Sequence, residues 1–133
     1  MCDAFVSYAT ADKRAALAAC EAISSLGIRL WLDVDEIPRR AVWRDAVQLG
    51  IREARVVLVV LGSGWEDSPA CRYELAVAVE QRRPLLAMRL PGHRGRVPAT
   101  LPADTEIVAA ISLGAAATAV AARLAKYRER RAE

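Results

Sequence analysis

Histidine and cysteine are scarce in this chain: 133 residues hold one histidine and three cysteines. His93 stands in a proline-rich loop, so neither a serine-hydrolase nor a cysteine-protease arrangement finds its base. It has no carboxylate or cysteine at ligand spacing and reads as a solvated loop residue, with no metal site expected. Cys2, Cys20 and Cys71 form no CxxC pair and leave one over, which fits a reducing cytosol better than a disulfide framework. Lysine occurs only at Lys13 and Lys126. The arginines behind the net charge of +3 are scattered, apart from Arg94 with Arg96 and the run Arg128, Arg130, Arg131. No single element concentrates them beside base-reading side chains, which argues against nucleic-acid binding. A basic-plus-apolar leader is absent at the N-terminus. The longest apolar stretch, Ile107 to Ala125, is alanine-rich and interrupted by Ser112, Gly114 and Thr118, so a strand and an amphipathic helix are expected there, not a membrane span. A soluble, cytoplasmic protein is expected.

Nucleotide-binding signatures are missing too. Where a dinucleotide fold would carry GxGxxG after its first strand, the chain reads Ser7-Tyr8-Ala9-Thr10-Ala11, and there is no Walker P-loop. A phospho-acceptor receiver would place aspartate after the third strand, where Leu61-Gly62-Ser63 stands.

What is present is a regular alternation of strand and helix signals in a chain that is 54% hydrophobic and 26% charged, enough for one domain with one core. Strands are expected at Ala4–Tyr8, Ile28–Leu32, Arg55–Leu61, Pro84–Leu90 and Ile107–Leu113. Helices are expected at Asp12–Leu26, with Leu17, Cys20, Ile23 and Ser24 on one face, and at Trp43–Glu53, Pro69–Arg82 and Ala115–Arg130. The third strand is apolar on both faces and belongs in the centre, whereas the second alternates and belongs at an edge. Such βα units imply a flavodoxin-like α/β fold, a five-stranded parallel sheet in the order 2-1-3-4-5 with helices on both faces. The loop from Pro91 to Asp104 is expected to be flexible and exposed, and residues 120–133 to be a tail or a linker to a further domain.

One carboxylate stands out. Ser68 offers an N-cap oxygen and Pro69 suits the first helical turn. The following helix should bury Cys71, Leu75, Ala78 and Val79, with Glu74 on the edge of that stripe beside Ala78. Its i±3 and i±4 neighbours, Ala70, Cys71, Val77 and Ala78, include no cation. A carboxylate near the carboxyl end of a central strand lies where open α/β sheets bind ligands.

Five segments in order carry a resemblance: Asp3-Ala4-Phe5-Val6-Ser7-Tyr8, Gly27-Ile28-Arg29-Leu30-Trp31-Leu32-Asp33, Pro38 followed by Trp43, Ser68-Pro69-Ala70-Cys71-Arg72-Tyr73-Glu74-Leu75, and Pro84. Together, over roughly Asp3 to Leu90, the chain resembles a TIR (Toll/interleukin-1 receptor) domain of the bacterial type. The resemblance implies one of two activities. Some members cleave NAD at the nicotinamide–ribose bond, by hydrolysis or cyclisation, after self-assembly in bacterial defence signalling. Others are non-catalytic TIR–TIR interaction modules or host-mimicking effectors. By resemblance Glu74 would be the catalytic residue, with Ser7, Tyr8, Ala9, Asp33 and Trp43 lining the substrate cleft. NAD would be substrate and not cofactor. The expected partners are other TIR domains and a sensor domain or subunit, with no membrane and no nucleic acid. The chain departs from the family pattern at Ala70, where tryptophan is frequent, at Gly62 (serine), at Trp65 (tyrosine) and at Arg39-Arg40 (glycine). Trp65 could supply from the loop the aromatic surface that Ala70 lacks.

Overall fold

In a computed structural model, which describes residues 2–32 and 40–132, the apolar segments pair into one five-stranded sheet. The strands are β1 (Cys2–Ser7), β2 (Leu30–Leu32), β3 (Ala54–Leu61), β4 (Leu85–Arg89) and β5 (Glu106–Val108). All neighbours run parallel, in the expected order β2-β1-β3-β4-β5. Three helices connect strands: α1 (Lys13–Ser24), preceded by a 3₁₀ turn at Thr10–Asp12, α2 (Arg40–Glu53) and α3 (Pro69–Glu80); β4 runs to β5 without a helix, and α4 (Leu113–Ala132) follows β5.

Strand alternation divides the core in two. Ala4 and Val6 of β1, with Val56, Leu58 and Val60 of β3, face the side covered by α1 and α4. Phe5, with Val57, Val59 and Leu61, faces the side covered by α2 and α3. Because β3 is buried on both faces, it tolerates no polar side chain in its central run, and it reads as Val-Val-Leu-Val-Val-Leu.

Several boundaries differ from the sequence reading, each for a local reason. Helix α1 buries Ala16, Ala19, Cys20 and Ile23, while Leu17 is only half-buried and Ser24 is exposed. Alanines set this rotation, because Ala16 and Ala19 share a core with Ala116, Ala117 and Ala121 of α4, and small side chains let two helices approach closely. Gly27 ends the turn after α1 at φ +87, a conformation glycine adopts without strain. Strand β5 stops at Val108 instead of reaching Leu113, because the Ser112 hydroxyl accepts the Ala115 N–H at 3.1 Å and starts α4. The loop after β4 is not loose throughout. Leu101 joins the α2/α3 core, and Arg89 Nη1 donates to the carbonyls of His93 at 3.3 Å and Gly95 at 2.7 Å.

The charged C-terminal run is mostly exposed, and Arg128 within it ties α4 to β1. Val120 and Leu124 of α4 are buried in the core, and Tyr127 packs on it. One turn on, Arg128 Nε donates to Asp3 Oδ1 at 3.0 Å, Nη2 of the same guanidinium reaches Asp3 Oδ2, and the Arg29 N–H donates to Oδ2 at 2.8 Å. Burial pushes the Asp3 carboxyl up, but its hydrogen bonds and the charges of Arg128 and Arg55 outweigh that and hold it below its ordinary value. A lowered folded value contributes stability above the unfolded carboxylate range, and that stability is lost as pH falls through the folded value. Asp3→Asn is therefore expected to cost about 1–3 kcal/mol near neutral pH, discounted for the exposed Arg128 end. The deficit should begin to shrink below about pH 4, where the carboxylate of the unfolded chain takes up a proton, and should close as the folded carboxylate, held lower, is protonated in turn. Urea melts of both proteins between pH 3 and 7 check this, and a difference independent of pH would refute it.

Candidate active site

The carboxyl ends of β1 and β3 lie side by side where the chain winds outward in both directions, the position at which open α/β sheets leave a crevice. Ser7 is the last residue of β1, pairs in register with Val59 and points to the α2/α3 side. On that side α3 begins as its sequence predicts, with the Ser68 hydroxyl accepting the Cys71 N–H at 3.2 Å and Pro69 in the first turn.

The helix is rotated relative to the expected stripe. Its buried residues are Cys71, Glu74, Leu75, Val77 and Ala78, whereas Val79 is 50% exposed. Glu74 is thus inside the stripe and not on its shoulder, with 2% of its surface exposed. A carboxylate so buried requires hydrogen bonds to offset its lost hydration. Ser7 Oγ donates to Glu74 Oε1 at 2.7 Å, within the range of a charge-assisted bond. Having spent its one proton there, the hydroxyl must act as acceptor towards Trp65, whose Nε1–H lies 3.2 Å away. Ser7 and Trp65 are each 1% exposed.

Cys71 borders this network as a neutral thiol. Burial pushes it up to about 11; a hydrogen bond with Ser68 opposes this, the charge of Glu74 adds to it, and Ser7 opposes it more weakly. Burial alone takes Cys20 to about 11 as well. Neither serves as a thiolate nucleophile near neutral pH. Of the three thiols, only half-buried Cys2 is expected to react quickly with Ellman's reagent at pH 8, with all three reacting after denaturation. A fast second equivalent from native protein would contradict this burial.

The other expected residues separate. Ala9 is 3% exposed and shares the α2/α3 core with Trp65, Cys71 and Leu75, so it stands with Ser7 and Glu74. Tyr8 is half-buried against the opposite core, on the α1/α4 side. Trp43 is half-buried and packs on Tyr73, ring centroids 5.3 Å apart, in the contact between α2 and α3. Asp33 lies outside the described residues, as does the stretch 34–39. Trp65 offers no aromatic surface to a cleft, since its ring is interior, and Ala70 is exposed. Among the described residues no group of three or more His, Cys, Asp or Glu could hold a metal ion.

Sequence reasoning missed Asp12. Its Oδ2 accepts the Gly64 N–H at 3.1 Å and its Oδ1 accepts the Ser63 hydroxyl at 3.3 Å, which ties the loop after β3 to the 3₁₀ turn after β1. The signal was the pair Gly62 and Gly64. A Cβ on Gly62 would overlap the Asp12 carboxylate, and one on Gly64 would come within 2.9 Å of the Ala11 Cβ.

The fold is thus of the doubly wound parallel α/β class, with a hydroxyl-held carboxylate at its switch point. Within that class the match is specific: the family model described as TIR domain covers residues 4–125, and the chain belongs to that family. No curated protein matches it. Among solved structures it is similar to the TIR domain of the Toll-related receptor TRR-2 from Hydra magnipapillata, at 15% identity and a TM-score of 0.65, over 80% of this chain and 83% of that one. It is also similar to a metazoan TIR-STING receptor from C. gigas, at 22% identity and a TM-score of 0.70 over 93% of this chain. The chain spans 40% of that receptor's length. Both likenesses concern the fold.

Proposed function

We propose that this TIR domain cleaves the nicotinamide–ribose bond of NAD, with Glu74 as its catalytic residue and NAD as substrate. The observation that carries the reading is the buried Glu74 carboxylate, held by Ser7 at 2.7 Å at the ligand-binding edge of the sheet. Bond cleavage sends the C1′–N electron pair to the pyridinium nitrogen, so nicotinamide departs neutral and needs no general acid. Positive charge develops over C1′ and O4′ of the ribose, and a fixed carboxylate in a water-poor site stabilises it. Water then adds at C1′ and releases a proton, or a nitrogen of the adenine adds instead and closes a ring. Neither route needs a thiolate, consistent with a Cys71 thiol raised to about 11.

With 2% of its surface exposed, Glu74 is not presented to bulk solvent, so the isolated domain should turn over slowly and assembly should raise the rate. The test is nicotinamide release, followed by chromatography, from concentrated or artificially clustered protein. No release from clustered wild type would end this reading.

A second reading, a TIR–TIR interaction module, draws support from the surface. Strand β5 is an edge strand, Ile107 on it is 37% exposed, and Ile111 just beyond is 99% exposed. An open edge beside bare isoleucine favours association. Ile111→Glu should weaken self-association about tenfold or more by light scattering without lowering the melting temperature, since burying a charge at a contact costs over about 1.4 kcal/mol. Unchanged association would move the contact elsewhere.

A further inference from the structure

We propose that Trp65 and Asp12 are positioning residues for Glu74, acting through Ser7 as one hydrogen-bonded circuit. The catalytic meaning of that role rests on the Glu74 reading above, whereas the circuit itself stands on geometry. It starts at the end of β1. Ser7 donates to Glu74 at 2.7 Å and accepts from Trp65 at 3.2 Å. A serine hydroxyl rotates freely unless both its roles are filled. Trp65 can only donate, so its N–H occupies a lone pair of Ser7 Oγ and leaves the hydroxyl proton directed at Glu74. Phenylalanine in place of Trp65 would remove that constraint and keep most of the packing.

Trp65 is held in turn by the loop that carries it. Asp12 binds Ser63 and Gly64, the two residues before Trp65, at 3.3 and 3.1 Å. The Asp12 N–H donates to the Ala9 carbonyl at 2.9 Å, which anchors the carboxylate two residues beyond Ser7. The path therefore leaves β1 after Ser7, crosses through Asp12 to the loop after β3, and returns through Trp65 to Ser7. Glu74 is the one member contributed by α3. This gives the chain a way to fix the carboxylate although Ala70, one turn before it, supplies no aromatic contact. Hydrogen bonds in such a chain polarise one another: the charge on Glu74 makes Ser7 Oγ a better acceptor for the Trp65 N–H.

That coupling can be read without any enzymatic assay. The chain has three tryptophans, Trp31, Trp43 and Trp65, so ¹H–¹⁵N spectra give three indole N–H resonances, with Trp65 assigned by its absence in Trp65→Phe. Glu74→Gln should move the Trp65 indole proton upfield, and the same substitution in a Ser7→Ala background should leave it still. Asp12→Ala should speed hydrogen exchange at that indole about tenfold or more, as a tie worth over about 1.4 kcal/mol is lost. In clustered protein, Trp65→Phe and Asp12→Ala should lower kcat roughly tenfold or more with little change in KM, because a misplaced catalytic group costs rate before binding. Trp65→Tyr, which keeps a donor, should recover part of that loss. An unmoved Trp65 resonance in Glu74→Gln, or an equal shift with and without Ser7, overturns the circuit. If the spectra behave as expected but wild type releases no nicotinamide, the Glu74 reading falls and the circuit stands as a structural tie.

Discussion

Glu74→Gln should lower nicotinamide release from the assembled protein by a factor on the order of 10²–10³ while leaving the fold intact. The substitution keeps the shape of the side chain and an oxygen to accept the Ser7 hydroxyl now 2.7 Å from Oε1. What it removes is the negative charge. A buried charge facing developing positive charge at C1′ is worth more than one in water, because nothing screens it and no reorganisation is needed at the moment of reaction. Glutamine should thus bind NAD almost as well and fail at the bond-breaking step, so kcat falls and KM scarcely moves. Stability should hold or rise slightly, since a buried carboxylate with 2% exposure gives up hydration that an amide does not need. The measurement is release by chromatography alongside a urea melt of each protein. Equal release from Glu74→Gln and wild type would remove Glu74 from the chemistry. A collapse of stability with the loss of activity would make its role structural.

The fold was largely legible in the sequence because its signals are local and repeated. An apolar run of six after Arg55 is a central strand in any α/β sheet, and Ser68-Pro69 starts a helix by capping chemistry that requires no tertiary context. Helix rotation was less legible. In α1 and α3 the buried face is set by how closely a neighbour approaches, and small residues such as Ala16, Ala19 and Ala78 leave that ambiguous. This is why the sequence pattern puts Glu74 at the edge and Val79 in the core, when the reverse holds. Glu74 and Ser7 could be paired through the resemblance, since both belong to its motifs. Trp65 and Asp12 could not, because their roles arise from contacts between residues 58 and 52 positions apart in the chain. Tyr8 follows from simple alternation: one step beyond Ser7 in an extended chain points to the other face.

Gly62→Ser should destabilise the domain by about 2–4 kcal/mol, and Asp12→Ala should absorb most of that cost. Serine is frequent at this position in the family the sequence resembles, so the substitution looks conservative from motif alone. Backbone conformation does not forbid it, since Gly62 lies outside the left-handed region that favours glycine, unlike Gly27 at φ +87. The obstacle is the Asp12 carboxylate, which occupies the space a Cβ would take, with Oδ1 2.6 Å from it. Asp12 is short and anchored at its backbone, so it can clear the clash only by giving up its bonds to Ser63 and Gly64 at 3.3 and 3.1 Å. Overpacking and the lost hydrogen bonds to a charged acceptor therefore add. Asp12→Ala alone should cost about 1–2 kcal/mol, because the ties are lost but no clash is introduced. In that background Gly62→Ser meets an empty space and should cost less than about 1 kcal/mol, giving a coupling of roughly 1–4 kcal/mol. Urea denaturation midpoints at unchanged slope give all four corners of the cycle. Additive costs would mean that Gly62 is required for some reason other than Asp12. A strong coupling would make residues 12 and 62 a matched pair, in which glycine is the consequence of the aspartate opposite.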